Sequence, residues 1–129
     1  MTDTLTDRRE SIAEKSGGRC WYCGVKLHFD KSRSMDTCYA TLDHVVAQAV
    51  GGSGRKDNLV AACRRCNCGK NKRTVEDYRL SRRFKAAGLK PMNREQIDWC
   101  LEHGFDVLSV LPEVEFWGEI YVGLQQATD

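Results

Sequence analysis

Cys20-Trp21-Tyr22-Cys23-Gly24 and, after an interval of 39 residues, Cys63-Arg64-Arg65-Cys66 are the stretches whose reading decides the fold. A tetrahedral zinc ion takes four thiolates at about 2.3 Å, and each Cys-x-x-Cys knuckle presents two sulfurs to one side of it. Cys20, Cys23, Cys63 and Cys66 therefore predict a structural zinc site with all four positions filled and none left for chemistry. A chain of 129 residues supports one modest core, so such an ion would replace packing that the chain lacks. The N-terminal residues carry no apolar run of the signal-peptide kind, and no stretch is apolar for long enough to span a bilayer. The expected compartment is the reducing cytoplasm, where paired cysteines serve as metal ligands before disulfides. Three further cysteines, Cys38, Cys68 and Cys100, read as small buried apolar residues. Cys68 follows Cys66 by two positions, which on a helix turns it about 200° away from the ion.

Outward from the knuckles the chain reads as an α+β protein. Leu5–Ser16 predicts a short helix stopped by Gly17-Gly18, and residues 26–38 a polar loop. Thr41–Val46 reads as a strand from its β-branched content, Gly51–Asp57 as a basic loop, and Asn58–Ala62 as a second strand. Arg64–Ala87 is helical in pattern and very basic, with a break expected near Gly69. Asn93-Arg94-Glu95-Gln96 predicts a capping box ahead of a helix over 94–103, ended by Gly104. The tail from Val110 to Val122 alternates loosely, which suits a further strand or a cover for the core. With no repeat or linker, residues 1–129 read as a single domain. Within it, residues 17–75 form a core with flanking helices, and residues 91–129 form an acidic extension.

The charge is strongly asymmetric. Residues 1–90 hold 19 Lys and Arg against 10 Asp and Glu, whereas residues 91–129 hold Arg94 alone against eight acids. Neutralising phosphates drives affinity for nucleic acid, so the basic part is the side expected to meet a polyanion. Arg55, Lys56, Arg64, Arg65, Lys70, Lys72 and Arg73 surround the space between the knuckles and are the expected phosphate contacts. A solvated helix face is the plainer alternative, but acids are scarce there. Trp21 and Tyr22 can stack on a base, although aromatics beside a knuckle more often pack against it.

Between and beside the knuckles lie Leu42-Asp43-His44-Val45-Val46, Gly51-Gly52, Asp57-Asn58-Leu59-Val60 and Asn67-Cys68-Gly69-Lys70. Together with the four cysteines, over residues 20–73, this pattern closely resembles the zinc-containing branch of the HNH endonuclease family. The spacing agrees: fourteen residues from His44 to Asn58 and nine more to Asn67. The last member of the triad is Asn67, where many relatives have histidine, a variant also found in active members. The resemblance implies a ββα-metal (His-Me finger) core in which Asp43 and Asn67 hold one divalent cation, His44 activates the nucleophile and the side chain of Asn58 bonds across the loop to hold the His44 strand. It further implies double-stranded DNA as substrate and products with 5′-phosphate and 3′-hydroxyl ends.

Residue chemistry is consistent with that division of labour. Histidine titrates near neutrality and suits a general base. Carboxylate and carboxamide oxygens favour Mg²⁺ or Mn²⁺ over zinc. Successive strand residues face opposite sides, so Asp43 and His44 require a strand edge or an irregular turn, for which the Gly51-Gly52 loop is the expected source. The competing readings are a zinc-stabilised module that binds nucleic acid without cutting it and a scaffold whose acidic tail engages a protein. Neither needs Asp43, His44 and Asn67. His28 reads as a loop histidine and His103 as a helix C-terminal residue.

Overall fold

A computed structural model describes residues 4–45, 51–52 and 54–128. The backbone divides into two compact units, one formed by residues 1–74 and 115–129 and the other by residues 75–114. The first unit is built on a two-stranded antiparallel sheet, β1 (Ala40–His44) and β2 (Leu59–Cys63). The register runs from Ala40 opposite Cys63 to His44 opposite Leu59. All five residues of β2 are buried, whereas β1 buries Ala40 and Asp43 and leaves Thr41, Leu42 and His44 partly exposed. β2 is therefore the inner strand, and its small apolar side chains Ala61 and Ala62 allow close approach.

Helix α1 (Thr4–Ala13) packs on β2 and buries Ile12 and Ala13. It tightens into a single 3₁₀ turn at Glu14–Ser16 and stops where Gly17 adopts a left-handed φ of 67°. The Lys15 ammonium, just before that stop, donates to the carbonyl of Leu59 at 2.8 Å and ties the helix end to the start of β2. Helix α2 (Arg64–Lys70) begins where β2 ends, and the Cys63 sulfur caps it by accepting the Cys66 N–H. The expected break in the long basic segment falls at residues 71–74. Asn71 takes a positive φ of 54° and closes α2 by donating its N–H to Asn67 O. Val46, expected to end the first strand, and Ser53, in the expected glycine loop, lie outside the described residues, as do positions 47–50.

The tail forms no strand; residues 111–116 are irregular, and from Trp117 the chain is helix α5 (Trp117–Thr128). The knuckle supplies the reason. The carbonyls of Trp21 and Tyr22 accept the N–H groups of Gly118 and Trp117 at 2.7 and 3.3 Å, satisfying first-turn donors that a helix leaves unpaired. Glu119 reaches back to the Phe116 N–H at 2.9 Å. The loose alternation is thus an i, i+4 pattern in which Trp117 stacks obliquely on Tyr121 with 5.9 Å between centroids.

The second unit contains α3 (Val75–Ala86) and α4 (Arg94–Glu102) around Phe84, Ile97 and Leu111. Asn93 and Gln96 form the expected capping box, with reciprocal bonds of 2.8 and 2.9 Å. Two arginines of the basic segment serve this unit's own backbone. Arg79 donates to Val114 O at 2.8 Å, and Arg83 to Leu108 O and Pro112 O, both at 3.0 Å. No described helix is long and apolar enough to cross a membrane.

Gly118 provides a sharp test of the α5 contact. In a solvent-facing helix, replacing glycine by alanine stabilises by about 1 kcal/mol. Here an added Cβ would collide with the Trp21 ring, so Gly118→Ala is expected to destabilise by about 1–3 kcal/mol in urea unfolding. A neutral or stabilised variant would contradict the packing.

Candidate active site

The four knuckle sulfurs come together: the Sγ atoms of Cys20, Cys23, Cys63 and Cys66 all lie within 4.8 Å of one another. A tetrahedron with metal–sulfur bonds of about 2.3 Å has edges of about 3.8 Å. Cys23 Sγ and Cys63 Sγ are 3.8 Å apart, so the cage fits zinc. Backbone N–H groups already point at the sulfurs, those of Tyr22 and Cys23 at Cys20 and that of Cys66 at Cys63, at 3.4–3.5 Å. The thiols compete for protons. Cys20, Cys63 and Cys66 hold Cys23 well below the ordinary thiol range, while Cys20, Cys23 and Cys66 push Cys63 above it. A central dication resolves that competition by accepting four thiolates. This is a four-cysteine cluster that can bind zinc.

The other cysteines stay outside it. Cys68 is exposed, not buried as its apolar reading implied, because the α2 face that turns it from the cluster turns it to solvent. Cys38 and Cys100 are half-buried.

From the cluster the chain builds a second constellation. β1 carries Asp43 and His44, and α2 lies across the β1 face that holds Thr41 and Asp43. The Asn67 amide nitrogen donates to Thr41 Oγ1 at 2.9 Å and to Leu42 O at 3.3 Å. Its nitrogen end is thereby committed to the strand, and its oxygen end is the one whose chemistry suits a hard cation. Three residues further along α2, Lys70 is wholly buried, with its ammonium 3.2 Å from Asp43 Oδ2 and 3.3 Å from His44 O. Lys70 therefore differs from the surface cation suggested by its place in the basic segment. Arg55, Lys56, Arg65, Lys72 and Arg73 are exposed, and Arg64 is partly so. Arg73 folds back onto Gly69 O at 2.6 Å.

Asp43 is 4% exposed, and its Oδ2 also accepts the Tyr22 hydroxyl at 2.5 Å. Its carboxylate is thus held from the knuckle side and from the α2 side. His44 ends β1, half-buried, and strand alternation turns it from the Asp43 face. Gly51 and Gly52, expected to re-aim one of the two residues, are among the described residues, with Gly51 at a φ of 95°, whereas positions 46–50, between them and β1, lie outside. Asn58 meets this strand through its backbone: its carbonyl accepts the Val45 N–H at 2.8 Å, just beyond His44.

Sequence reasoning missed two members of the constellation, the Tyr22 hydroxyl and the buried role of Lys70. Lys70 follows Asn67 by three positions, which on a helix places both on one face. That spacing was the available signal. Tyr22 gave none, since an aromatic inside a knuckle reads as packing.

Residues 20–73, which hold the four-cysteine cluster, match the model of the HNH endonuclease domain. Over 64 residues, 49% of this chain, the sequence is 44% identical to the CRISPR-associated endonuclease Cas9 of Actinomyces naeslundii. The chain spans 5% of that protein. Its fold is similar to the crystal structure of the type II-C Cas9 enzyme from Actinomyces naeslundii, with a TM-score of 0.50 and 22% identity. That likeness covers 88% of this chain and 14% of the other.

The buried ion pair is separable from a surface charge by one substitution. Lys70→Ala would strand the Asp43 carboxylate in the interior, at an expected cost of about 3–5 kcal/mol in chemical denaturation. A change within about 0.5 kcal/mol, normal for a surface lysine, would contradict the arrangement.

Proposed function

We propose that this chain is a metal-dependent endonuclease that hydrolyses phosphodiester bonds of DNA, double-stranded DNA being the expected substrate. The observation that carries the reading is the junction of β1 and α2, where Asp43 and Asn67 share one strand face inside a segment matching the HNH endonuclease family. In this reading the four-cysteine cluster holds a structural Zn²⁺. Asp43 and Asn67 offer the hard oxygen donors for one Mg²⁺ or Mn²⁺. That cation, when bound, supplies neutralisation of the charge that develops on the phosphate and on the departing oxygen.

The protein's own residues do the rest. His44, on the last position of β1, takes a proton from the attacking water as general base. The water oxygen bonds to phosphorus and the bond to the 3′ oxygen breaks. The leaving oxygen is protonated from solvent, giving 5′-phosphate and 3′-hydroxyl ends. Asn58 steadies the strand end at Val45, and Lys70 holds the Asp43 carboxylate and the His44 carbonyl together. Arg55, Lys56, Arg64, Arg65, Lys72 and Arg73 supply phosphate contacts that position the duplex without reading its sequence. The buried Lys70, assigned by its sequence position to the same set, works from inside.

Supercoiled plasmid is the substrate for the test, incubated with the full chain in Mg²⁺ or Mn²⁺ beside an EDTA control. Metal-dependent nicking or linearisation is expected, reduced about 10²–10⁴-fold by His44→Ala. Salt-sensitive binding of the plasmid with no cutting in either metal would overturn the nuclease in favour of a zinc-stabilised binding module.

A further inference from the structure

We infer that Tyr22 is a positioning residue for Asp43, carrying the geometry of the cysteine knuckle into the carboxylate assigned to the catalytic cation. The inference rests on the proposed nuclease reading and names a residue outside that reading's metal-binding and proton-transfer groups.

Tyr22 sits between Cys20 and Cys23, so its backbone is fixed on both sides by cluster ligands. Its N–H donates to Cys20 Sγ at 3.4 Å, and its carbonyl accepts the Trp117 N–H at 3.3 Å. The ring is 5% exposed and meets Phe116 edge-on, with 4.9 Å between centroids and an interplanar angle of 90°. The knuckle, the start of α5 and the Phe116 ring thus constrain this side chain before its hydroxyl is reached. That hydroxyl then donates to Asp43 Oδ2, one of the two carboxylate oxygens that Lys70 reaches.

A carboxylate on a strand turns readily about its side-chain bonds. The Lys70 ammonium straddles both carboxylate oxygens, 3.2 Å from Oδ2 and 3.4 Å from Oδ1, and the Tyr22 hydroxyl adds a second donor at Oδ2 alone, which distinguishes the two oxygens and fixes the turn of the group. Lys70 alone would supply charge without direction, because an ammonium is a point donor on a flexible stem. The phenol is rigid, with two side-chain torsions and a buried ring, and so supplies the direction. Groups that orient a metal ligand from behind contribute about 10–100-fold to metal affinity. Tyr22 occupies that place for Asp43, and through it Phe116 and the first turn of α5 become part of the apparatus that orients the site.

The test is direct Mn²⁺ binding, by electron paramagnetic resonance titration of free Mn²⁺, on the zinc-loaded full chain and on Tyr22→Phe. Zinc content and the unfolding midpoint are measured on the same samples. The variant keeps the ring and loses only the hydroxyl, so zinc should stay at wild-type stoichiometry while the Mn²⁺ dissociation constant rises about tenfold. The Mn²⁺ concentration for half-maximal plasmid cleavage should rise in parallel. Equal Mn²⁺ affinity in the two proteins would overturn the inference while leaving the nuclease reading intact. A wild type that neither binds Mn²⁺ nor cuts would overturn that reading and the inference with it. Should Tyr22→Phe fail to fold, Phe116→Leu loosens the same ring and keeps the hydroxyl. Weaker Mn²⁺ binding at full zinc content then supports the inference, and unchanged binding overturns it.

Discussion

Four sulfur atoms within 4.8 Å of one another set the position of nearly everything else in the first unit. They join the knuckle at residues 20–23 to the point where β2 becomes α2. Because Cys63 ends the strand and caps the helix, the direction in which α2 leaves the sheet is set at the cluster. Asn67 and Lys70 follow within the next seven residues of helix, so their places over β1 derive from the same point. On the other side the knuckle presents two carbonyls on which α5 begins, and a tyrosine that reaches Asp43. A chain of this length buries only a small core, and β2, buried along its whole length, brings Leu59, Val60 and two alanines to it. A metal-bound cluster would contribute the cohesion that such a strand cannot.

The buried pair of Lys70 and Asp43 belongs to a different balance of forces. Two charges withdrawn from water lose hydration that their mutual attraction need not return, and apolar replacements of similar volume are often as stable. A pair in such a place is better explained by what it holds in position. Its ammonium touches both the carboxylate and the carbonyl of the adjoining histidine. The outcome is a strand end whose two chemically useful residues are fixed from one helix, although their side chains start on opposite faces.

Much of this was legible in the sequence because the signals were local. Paired cysteines at fixed spacing, β-branched residues in the Thr41 stretch, the Asn93–Gln96 box and the Gly17 stop each act within a few residues. The structure has an element at each of those places. What was not legible depended on distant partners. The tail from Val110 to Val122 has Phe116 rather than Ser, Thr, Asp or Asn ahead of its helix, and that helix starts on carbonyls of Trp21 and Tyr22 nearly a hundred residues earlier. Lys70 stood among surface cations in the sequence, and only the close approach of α2 to β1 turns it inward. Tyr22 read as knuckle packing, which is true of its ring and silent about its hydroxyl.

The central claim is that one zinc ion in the four-cysteine cluster organises the site. It is tested most directly by native mass spectrometry of the purified chain, followed by near-ultraviolet circular dichroism as a chelator strips the metal. One zinc per chain is expected, with loss of the tyrosine and tryptophan signals in step with its removal, since Trp21, Tyr22 and Trp117 all pack at the knuckle. A chain that binds no zinc, or that keeps those signals unchanged after zinc is gone, would contradict it.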